Sequence, residues 1–443
     1  MSTSDTHATP TRKRPSLGVI FLTLYIDLVG FSIIFPLLPS LIQHYLAKDG
    51  SHGVLGACVQ ATETLSRTLG MSDNFAPVLF GGIVGSVFSI LQFIFAPIWG
   101  RLSDRIGRRP VLVWTVAGTA AGYLLWVFSG SFWLFVLSRV LCGAFGGNLS
   151  VATAAVADVT TREERSKAMG LVGAAFGLGL VTGPAIGAIA VKWQVPADTI
   201  WEQLGLRDNP VAVPAMIALL MSAVNLLWIT RRFGETLPQD VRASTAPRHG
   251  NPLTAIFAIE EPHVRRINLV AFVFSTAFVA MEVTLTYLAT KRFNYTPSQN
   301  GILLGFLGLC SILTQGVLVR RMLSSMPETK VLRIGLILAT LGFTLIAIAP
   351  SPWVLFVAMA FTAGGSGLVN PSTTGLISLY TAQDDQGRML GIFRSLGALS
   401  RAITPILAGV IFWALGSWIL FVVAALCCVL ALLLAKPLVR PQN

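Results

Sequence analysis

The sequence predicts an all-α polytopic membrane protein with 12 transmembrane helices in two pseudo-symmetric halves of six. Composition is the first observation, because hydrophobic residues make up 54% of the chain and charged residues only 12%, whereas a soluble domain usually has about 25% charged residues. The net charge of +12 would suggest a nucleic-acid partner for a soluble protein. Here the basic residues lie in short segments between apolar runs, so we expect a lipid bilayer as partner and no nucleic acid.

The second observation is the number of apolar runs. A transmembrane helix needs about 20 residues, and the chain contains twelve runs of roughly this length. We number these runs as spans 1 to 12. They cover residues 17–43, 77–99, 111–129, 132–157, 168–191, 211–230, 267–289, 301–319, 334–349, 352–379, 389–413 and 415–435.

The third observation is an internal repeat. Three residues of the first half, Gly143, Gly170 and Pro184, are matched at a constant offset of 221 residues in the second half by Gly364, Gly391 and Pro405. Two halves with the same topology imply a pseudo-two-fold axis along the membrane normal. They also imply a central cavity around which the halves rock.

The distribution of lysine and arginine predicts the orientation. The tails and the connections after spans 2, 4, 6, 8 and 10 hold 23 of the 32 basic residues, and the opposite face holds six. Both termini are therefore expected in the cytoplasm, with the protein in the plasma or inner membrane. The predicted units are a tail at 1–16, a six-helix bundle at 17–230, a cytoplasmic linker at 231–266, a second bundle at 267–435 and a tail at 436–443.

The segment Gly100–Leu112, GRLSDRIGRRPVL, connects spans 2 and 3 and is densely charged. Its ionisable residues are Arg101, Asp104, Arg105, Arg108 and Arg109. We expect a turn that starts at Gly100, an ion pair between Asp104 and Arg108, and a new helix opened by Pro110. The segment could lock neighbouring helices in one arrangement and release them in another. A simple cytoplasmic retention signal is the alternative.

This segment resembles the signature that the major facilitator superfamily carries between helices 2 and 3, with matches at Gly100, Leu102, Asp104, Gly107, Arg108 and Arg109. Span 4 is similar to a second family motif at Arg139 and Gly143, with Cys142 where drug exporters often have glutamine. Span 5 is similar to a motif of proton-coupled antiporters at Gly179, Gly183, Pro184 and Gly187, although Ala188 replaces its final glycine. The resemblance covers nearly the whole chain and implies the major facilitator fold.

Two branches of the superfamily are the most similar. YIDLVGFSIIFPLLP in span 1 resembles tetracycline-resistance type drug:proton antiporters, whereas VLFGGIVGSVFSILQF in span 2 and RSLGALSRA in span 11 more closely resemble the tetracycline-transporter-like (TETRAN) branch. The resemblance implies a secondary active transporter, not an enzyme, that exports amphipathic drugs or organic anions by alternating access. The coupling ion would be the proton, with no cofactor, and the protein would act as a monomer. Residues 334–349 lack the acidic residue that tetracycline exporters carry in helix 9, which argues against a metal–tetracycline chelate as main substrate.

Two carboxylates inside spans are the predicted proton-coupling residues. A charged side chain at this depth costs at least about 2.5 kcal/mol, so each needs a partner or a function. Asp27 lies near the midplane of span 1, and Glu282 lies in the middle of span 7, the counterpart of span 1 in the second half. A carboxylate that is protonated when the substrate leaves and deprotonated when it arrives is what an antiporter needs. A static ion pair with an arginine is the alternative for Asp27, and a structural role is the alternative for Glu282.

Three arginines also lie inside spans. Arg394 and Arg401 are seven residues apart and share one face of span 11. They are predicted either as counter-ions for Asp27 and Glu282 or as a docking strip for an anionic substrate. Arg139 resembles the family's helix 4 arginine, which is thought to influence the proton site, and a purely structural tie is the alternative.

Small and polar residues complete the candidate set. Gly179, Gly183 and Gly187 form a smooth face in span 5 and Pro184 bends the helix, which suits either gating or tight packing. Four uncharged polar residues are candidate substrate contacts, although such groups also join helices to one another. They are Gln92, Asn148, Gln315 and Asn370.

Several other classes of protein are disfavoured. The chain has no Gly-Lys pair and so no Walker A loop, and its five cysteines show no metal-ligand spacing, so no metal site is expected. A hydrolase would need a nucleophile and base at depth, but the histidines lie in tails, loops or span ends. A channel is less compatible with a repeat that carries mid-span charges of both signs. A proton-coupled symporter or a uniporter of a small organic solute on the same fold remains the main alternative.

Overall fold

The computed structural model describes residues 17–68, 76–160, 162–193, 196, 198–203, 205–237, 259, 261–381 and 386–438. Within these ranges the structure contains helices and no β-strand. The helices are α1 Leu17–Ser32, α2 Leu38–Asp49, α3 Gly53–Thr68, α4 Ala76–Ile106, α5 Arg108–Val127, α6 Phe132–Ala144, α7 Asn148–Val159, α8 Arg162–Ala190, α9 Ile200–Gln203, α10 Ala212–Arg232, α11 Pro262–Phe293, α12 Pro297–Leu313, α13 Val319–Ser325, α14 Glu328–Ile348, α15 Pro352–Tyr380 and α16 Gln386–Ala435. The predicted tail at 1–16, most of the predicted linker and the last five residues lie outside the described ranges.

Every predicted span coincides with helical structure. Nine helical stretches among the described residues are long and apolar enough to cross a membrane, and Gly177–Ala190 and Pro297–Leu313 are shorter apolar helices in spans 5 and 8. The stretch Met389–Ala435 has 47 residues, which at 1.5 Å per residue is about twice the thickness of a bilayer. Its backbone breaks at Gly416, where φ is 82°, so it comprises spans 11 and 12.

Two spans of the first half are interrupted. Span 1 consists of α1 and α2 joined by a 3-10 turn at Phe35–Leu37, where Pro36 cannot donate a backbone hydrogen bond. Span 4 consists of α6 and α7, and its break exposes the Ala144 carbonyl, which accepts a hydrogen bond of 2.7 Å from Trp99 Nε1. Trp99 also packs against Gly147, where any side chain would collide with the indole.

The charged segment between spans 2 and 3 contains a one-residue turn. The prediction that the turn starts at Gly100 is wrong, because α4 continues to Ile106 and α5 begins at Arg108. Gly107 alone separates the two helices, and its φ of 110° is accessible mainly to glycine. Gly100 itself lies inside α4, and no atom lies within 4 Å of the position of a Cβ there.

We call the face where α1 begins and α16 ends the proximal face, and the opposite face the distal face. The proximal ends of α5 and α10 meet where Arg109 Nη2 donates to the Thr230 carbonyl. In the second half, Arg333 at the start of α14 donates to the carbonyls of Lys436 and Leu438, after the end of α16. Arg292 joins the distal ends of α11 and α14 to the break in α16, because its guanidinium donates to three carbonyls at the end of α14 and to Ser417.

The two halves pack against each other near the distal face. On one side α4 meets α16, where a side chain at Gly82 would lie 2.5 Å from the Pro405 carbonyl oxygen and 3.3 Å from Gly409 Cα. On the other side α8 meets α12, where Ser298 donates to the Ala188 carbonyl at 3.1 Å. Both contacts lie in the distal parts of their helices. The halves are therefore closed at the distal face.

Candidate functional site

Two residues predicted for different roles are in direct contact at the centre of the first half. Asn148 Nδ2 donates a hydrogen bond of 2.7 Å to Asp27 Oδ1. Asn148 is the first residue of α7, directly after the break in span 4, and it is 3% exposed. Its own Oδ1 is buried without a hydrogen-bond partner. The break in span 4 thus places an amide against the carboxylate of span 1.

Arg139 lies close to this pair in a cage of aromatic rings. Its guanidinium carbon is 4.9 Å from the ring centre of Trp126, 5.5 Å from that of Phe135 and 5.9 Å from that of Tyr123. The side chain is 5% exposed and Nη2 has no hydrogen-bond partner. Within the described part of the chain Arg139 forms no ion pair with Asp27. Cation–π contacts therefore take the place of a static ion pair.

Sequence reasoning did not identify Tyr123, which lies beside Gly30 of α1 and beside Arg139 of α6. A side chain at Gly30, three residues after Asp27, would lie 3.4 Å from the Tyr123 hydroxyl oxygen. The charges of both Asp27 and Arg139 act electrostatically on Tyr123. No spacing rule links a tyrosine in span 3 to charges in spans 1 and 4, so the sequence offered no signal for it.

The second half places Glu282 and Arg401 on adjacent helices. α11 and α16 meet where Thr276 Oγ1 and Ser400 Oγ are 3.3 Å apart. Glu282 and Arg401 interact electrostatically, but the described residues include no direct ion pair between them. The Arg401 guanidinium extends back along α16, and its Nη1 is 3.9 Å from the position of a Cβ at Gly397.

Arg394 and Arg401 are both exposed, although each lies within span 11. Gly397, between them, carries no side chain that would cover either guanidinium. A charged side chain at this depth is costly unless it contacts a partner or water. Arg401 thus provides an exposed positive charge on α16, and Arg394 lies on the same face of the helix.

The predicted polar contacts have different environments. Gln92 Nε2 donates to the Gly146 carbonyl at 3.0 Å, which ties α4 to the break in span 4 and agrees with the helix-joining alternative. Gln315 lies in a π-helical turn at Thr314–Leu318, and both Gln315 and Asn370 are exposed. The structure does not bring Gln315 or Asn370 into contact with Asp27.

The proximal charged segment is organised around Arg108. Its Nη1 donates to Asp104 Oδ1 at 2.6 Å and to Ser103 Oγ at 2.7 Å, and its Nε donates to Asp158 Oδ2 at 2.9 Å. The predicted ion pair between Asp104 and Arg108 is therefore confirmed. Asp158, near the end of α7, is a third member that the sequence analysis missed. Arg105 is exposed on the same helix as Asp104.

Glu235 caps α5 from the beginning of the linker. Its carboxylate accepts hydrogen bonds from the backbone N–H of Arg108 at 2.8 Å and of Arg109 at 3.2 Å. Thr236, beside it, donates to Asp158 Oδ2 at 2.9 Å. These contacts connect α4, α5, α7 and the segment after α10 in one network. Asp158 and Glu235 could have been found from the sequence, because both are acidic residues on the predicted cytoplasmic face, where the arginines of the charged segment also lie.

The glycines of span 5 pack α8 against α1. Side chains at Gly179 and Gly183 would collide with Leu28 and Ser32 of α1, and one at Gly187 would collide with Ile33, directly after α1. Ser32 Oγ also donates to the Gly179 carbonyl at 2.8 Å. Tight packing is therefore present at the predicted gating motif, within the first half.

Pro184 belongs to the opposite face of α8. On that face a side chain at Gly301 of α12 would collide with Ala188 Cβ and lie 3.1 Å from the Pro184 carbonyl oxygen. α8 therefore lies between α1 of its own half and α12 of the other half. A change in the contact between α8 and α12 therefore acts on a helix that also packs against α1, and α1 carries Asp27.

Two helical bundles that meet along two helix pairs, with charged side chains at mid-depth in both, define a multi-pass membrane transporter. The chain matches the sequence profile of the Major Facilitator Superfamily over residues 20–327 and 267–443. The protein belongs to this superfamily, whose members are transporters and not enzymes.

Three comparisons identify similar proteins. The chain is 33% identical over 455 residues to Major facilitator superfamily domain-containing protein 10 of Mus musculus, covering 98% of this chain and 95% of the mouse protein. It is 27% identical over 438 residues to Tetracycline resistance protein, class D, of Salmonella ordonez, covering 96% and 98%. The crystal structure of the human organic anion transporter MFSD10 (TETRAN) matches with a TM-score of 0.74 at 31% identity, covering 95% of this chain and 98% of that chain. The resemblance to both branches is confirmed.

Proposed function

We propose that the protein is a proton-coupled antiporter that exports amphipathic drugs or organic anions by alternating access. The contact between Asn148 and Asp27 carries the proposal, because it holds an ionisable carboxylate at mid-depth in span 1. The named functions of two similar proteins agree with this class of substrate, since one is a tetracycline resistance protein and the other an organic anion transporter.

The orientation follows from the basic residues. We assign the proximal face to the cytoplasm because most lysines and arginines lie there. Because the halves are closed at the distal face, we infer that the substrate site is reached from the cytoplasm. A substrate would enter from the cytoplasm and leave after the distal contacts between α4 and α16 and between α8 and α12 separate.

Asp27 is the proposed proton carrier. In its ionised form it accepts the hydrogen bond from Asn148, and among the described residues Arg139 does not neutralise it in a direct ion pair. When the halves open outward, a proton binds Asp27 or Glu282 and weakens substrate attachment. The protonated carrier then returns to the inward-facing state as the network around Arg108 re-forms.

Arg401 is the proposed substrate-docking residue. It is exposed, reaches back towards the proximal face and has a second exposed cation, Arg394, two helical turns away. Glu282 is close enough to interact with Arg401 electrostatically but does not occupy it in a direct pair. An organic carboxylate or sulfonate could therefore bind the guanidinium.

Transport into proteoliposomes with an imposed pH gradient tests the antiport. An acidic interior should drive accumulation of an organic anion in the wild type, because protons leave as substrate enters. D27N should abolish this response. The matched control is E202Q in the distal loop, a carboxylate outside the spans whose pKa is lowered by the hydrogen bond from Arg207. Unchanged gradient dependence in D27N would exclude Asp27 as the proton carrier.

The same vesicles distinguish the alternatives. Accumulation driven by an acidic exterior would indicate a symporter, and accumulation independent of either gradient would indicate a uniporter. For substrate charge, R401A should reduce transport of anionic solutes more than that of cationic solutes, and R401K should retain part of the activity. Equal losses for both classes of solute would assign Arg401 a structural role.

A further inference from the structure

The helix α3 has two apolar surfaces, only one of which packs on the protein. Leu55 is 2% exposed and packs with the first-half core, and Val59 is partly buried against it. Val54 is 67% exposed, Leu65 is 48% exposed, and Cys58 is exposed between them. At 100° per residue these three side chains lie within about 40° of one another. We call them the apolar edge of α3.

The opposite side of α3 is polar. Gln60 and Arg67 are exposed and Glu63 is half-buried, and all three lie between about 140° and 200° from Cys58 around the helix. A helix with one apolar edge and one polar side suits the boundary between lipid and water. Its position in the chain, between spans 1 and 2, places it at the distal membrane surface.

The surfaces next to the apolar edge are those of membrane-facing helices. Ile83 of α4 is 40% exposed and Trp133 of α6 is 53% exposed. The apolar edge therefore continues the lipid-facing surface of spans 2 and 4. Water would be an unfavourable environment for such a continuous apolar surface.

A pocket of about 270 Å³ lies between α3 and these two spans. Its walls are apolar side chains, which include Leu55, Cys58, Phe80, Val87, Phe132 and Trp133. Val87 is eleven residues into α4, which is about 16 Å from the start of that helix. That depth is well inside the hydrocarbon of the distal leaflet.

We propose that α3 lies in the distal leaflet with its apolar edge among the lipid chains, and that the pocket beneath it binds an acyl chain of a phospholipid. The apolar walls, the leaflet depth and the continuity with lipid-facing helices favour an acyl chain over a charged or polar ligand. The site is separate from Asp27 and Arg401 and does not depend on the direction of transport.

Fluorescence quenching by brominated phospholipids tests the proposal in nanodiscs that contain one full-length protein. The native Cys58 is labelled with a bimane, and the matched control is R67C in a C58S background, because position 67 is about 180° away on the same helix. C58S alone measures labelling of the other cysteines, of which Cys142 and Cys428 are buried. Bromines at mid-chain should quench the label on Cys58 at least twofold more than the label on R67C.

The pocket is tested by filling it. Val136 of α6 also lines the pocket. V136W should reduce the phospholipid that remains bound to each protein after delipidation in detergent to half of the wild-type amount or less, as measured by mass spectrometry, whereas V136A should not. Equal quenching at positions 58 and 67 would overturn the placement of α3 in the leaflet. Equal amounts of retained phospholipid in V136W and the wild type would overturn the acyl-chain site.

Discussion

At the scale of single residues, Arg108 illustrates how a side chain can join distant segments. Its guanidinium donates to Asp104 and Ser103 on α4 and to Asp158 at the end of α7. The Arg108 side chain is 7% exposed and that of Asp158 is 15% exposed, so the charges are shielded from water. Removal of one charged side chain from this network leaves the remaining shielded charges without their full set of opposite charges and hydrogen bonds.

R108A should therefore destabilise the protein by about 2 kcal/mol, because two carboxylates and a hydroxyl lose their donor. R105A is the matched control, since Arg105 is an exposed arginine three residues earlier, near the end of α4. This variant should have almost no effect on stability. The apparent melting temperature in detergent measures both variants. Equal melting temperatures for R108A and R105A would contradict the structural role of the network.

Glu235 has a simpler role as a remote helix cap. E235A should cost about 1 kcal/mol, the usual value for loss of an N-cap acceptor. E235Q retains one side-chain oxygen and should recover part of this loss. The same melting assay applies, and hydrogen exchange at the Arg108 and Arg109 amides should increase in E235A. Unaltered exchange there would show that the cap contributes little.

The sequence identified the charged residues of the site but not their partners. Asp27 stood out because carboxylates are rare in apolar spans, and Arg139 stood out for the same reason. Asn148 is 121 residues from Asp27 in the chain, and only the break in span 4 brings them together. The aromatic cage of Arg139 also depends on how helices pack against each other, and no regular spacing in the sequence predicts it.

At the scale of elements, α8 is the helix with the closest packing on two sides. Its glycines face α1, and its Val181 and Ala188 face α12 of the other half. Helices can approach this closely only where small residues remove the side-chain layer. The same helix therefore combines rigid packing in one half with a separable contact to the other.

G183V should disrupt the packing of α8 on α1, because the Ser32 hydroxyl and the Val29 carbonyl already occupy the space beside Gly183. Overpacking of this kind costs about 1–3 kcal/mol. G177A is the matched control on the same helix, since the position of a Cβ at Gly177 has no neighbour within 4 Å. Size-exclusion profiles and transport rates should decline in G183V and stay unchanged in G177A. A folded and active G183V would contradict the packing role.

Hydropathy located all twelve spans because each needs an uninterrupted apolar run. The interruptions inside spans were not predicted, since their causes act between helices. The gap between α6 and α7 is accommodated by Trp99 and Gln92 of α4. The turn at Gly107 was placed seven residues too early, because residues 101–106 extend the helix through the charged segment and no apolar pattern marks its end.

At the scale of the whole molecule, the internal repeat extends to side-chain contacts. Gln92 packs on Gly146, and Gly367, which follows Gly146 by 221 residues, is packed by Thr314 and Gln315, one and two residues beyond the position that corresponds to Gln92. The pseudo-symmetry predicted from glycine spacing is therefore visible in the packing of each half. The asymmetric parts, such as the charges Asp27 and Arg401, were also placed on the correct helices by the sequence. Their roles stay predictions.

Alternating access requires the distal contacts between the halves to separate. A disulfide in A188C/S298C, which joins α8 to α12 across the two halves, should block transport, and reduction should restore it. The matched control is T276C/S400C, a pair within the second half whose native oxygens are 3.3 Å apart. A cross-link there should leave transport intact. Full activity of oxidised A188C/S298C would show that these helices do not separate during the cycle.

The single residue between α4 and α5 has a mechanical consequence. A connection of one residue keeps the end of α4 and the start of α5 close together, so a movement of the end of α4 displaces the start of α5. The far arm of α4 touches α16 at Gly82, and the near end of α5 is clasped by Glu235. We therefore expect that separation of the bundles at the distal face displaces the start of α5, and with it the beginning of the linker at the proximal face.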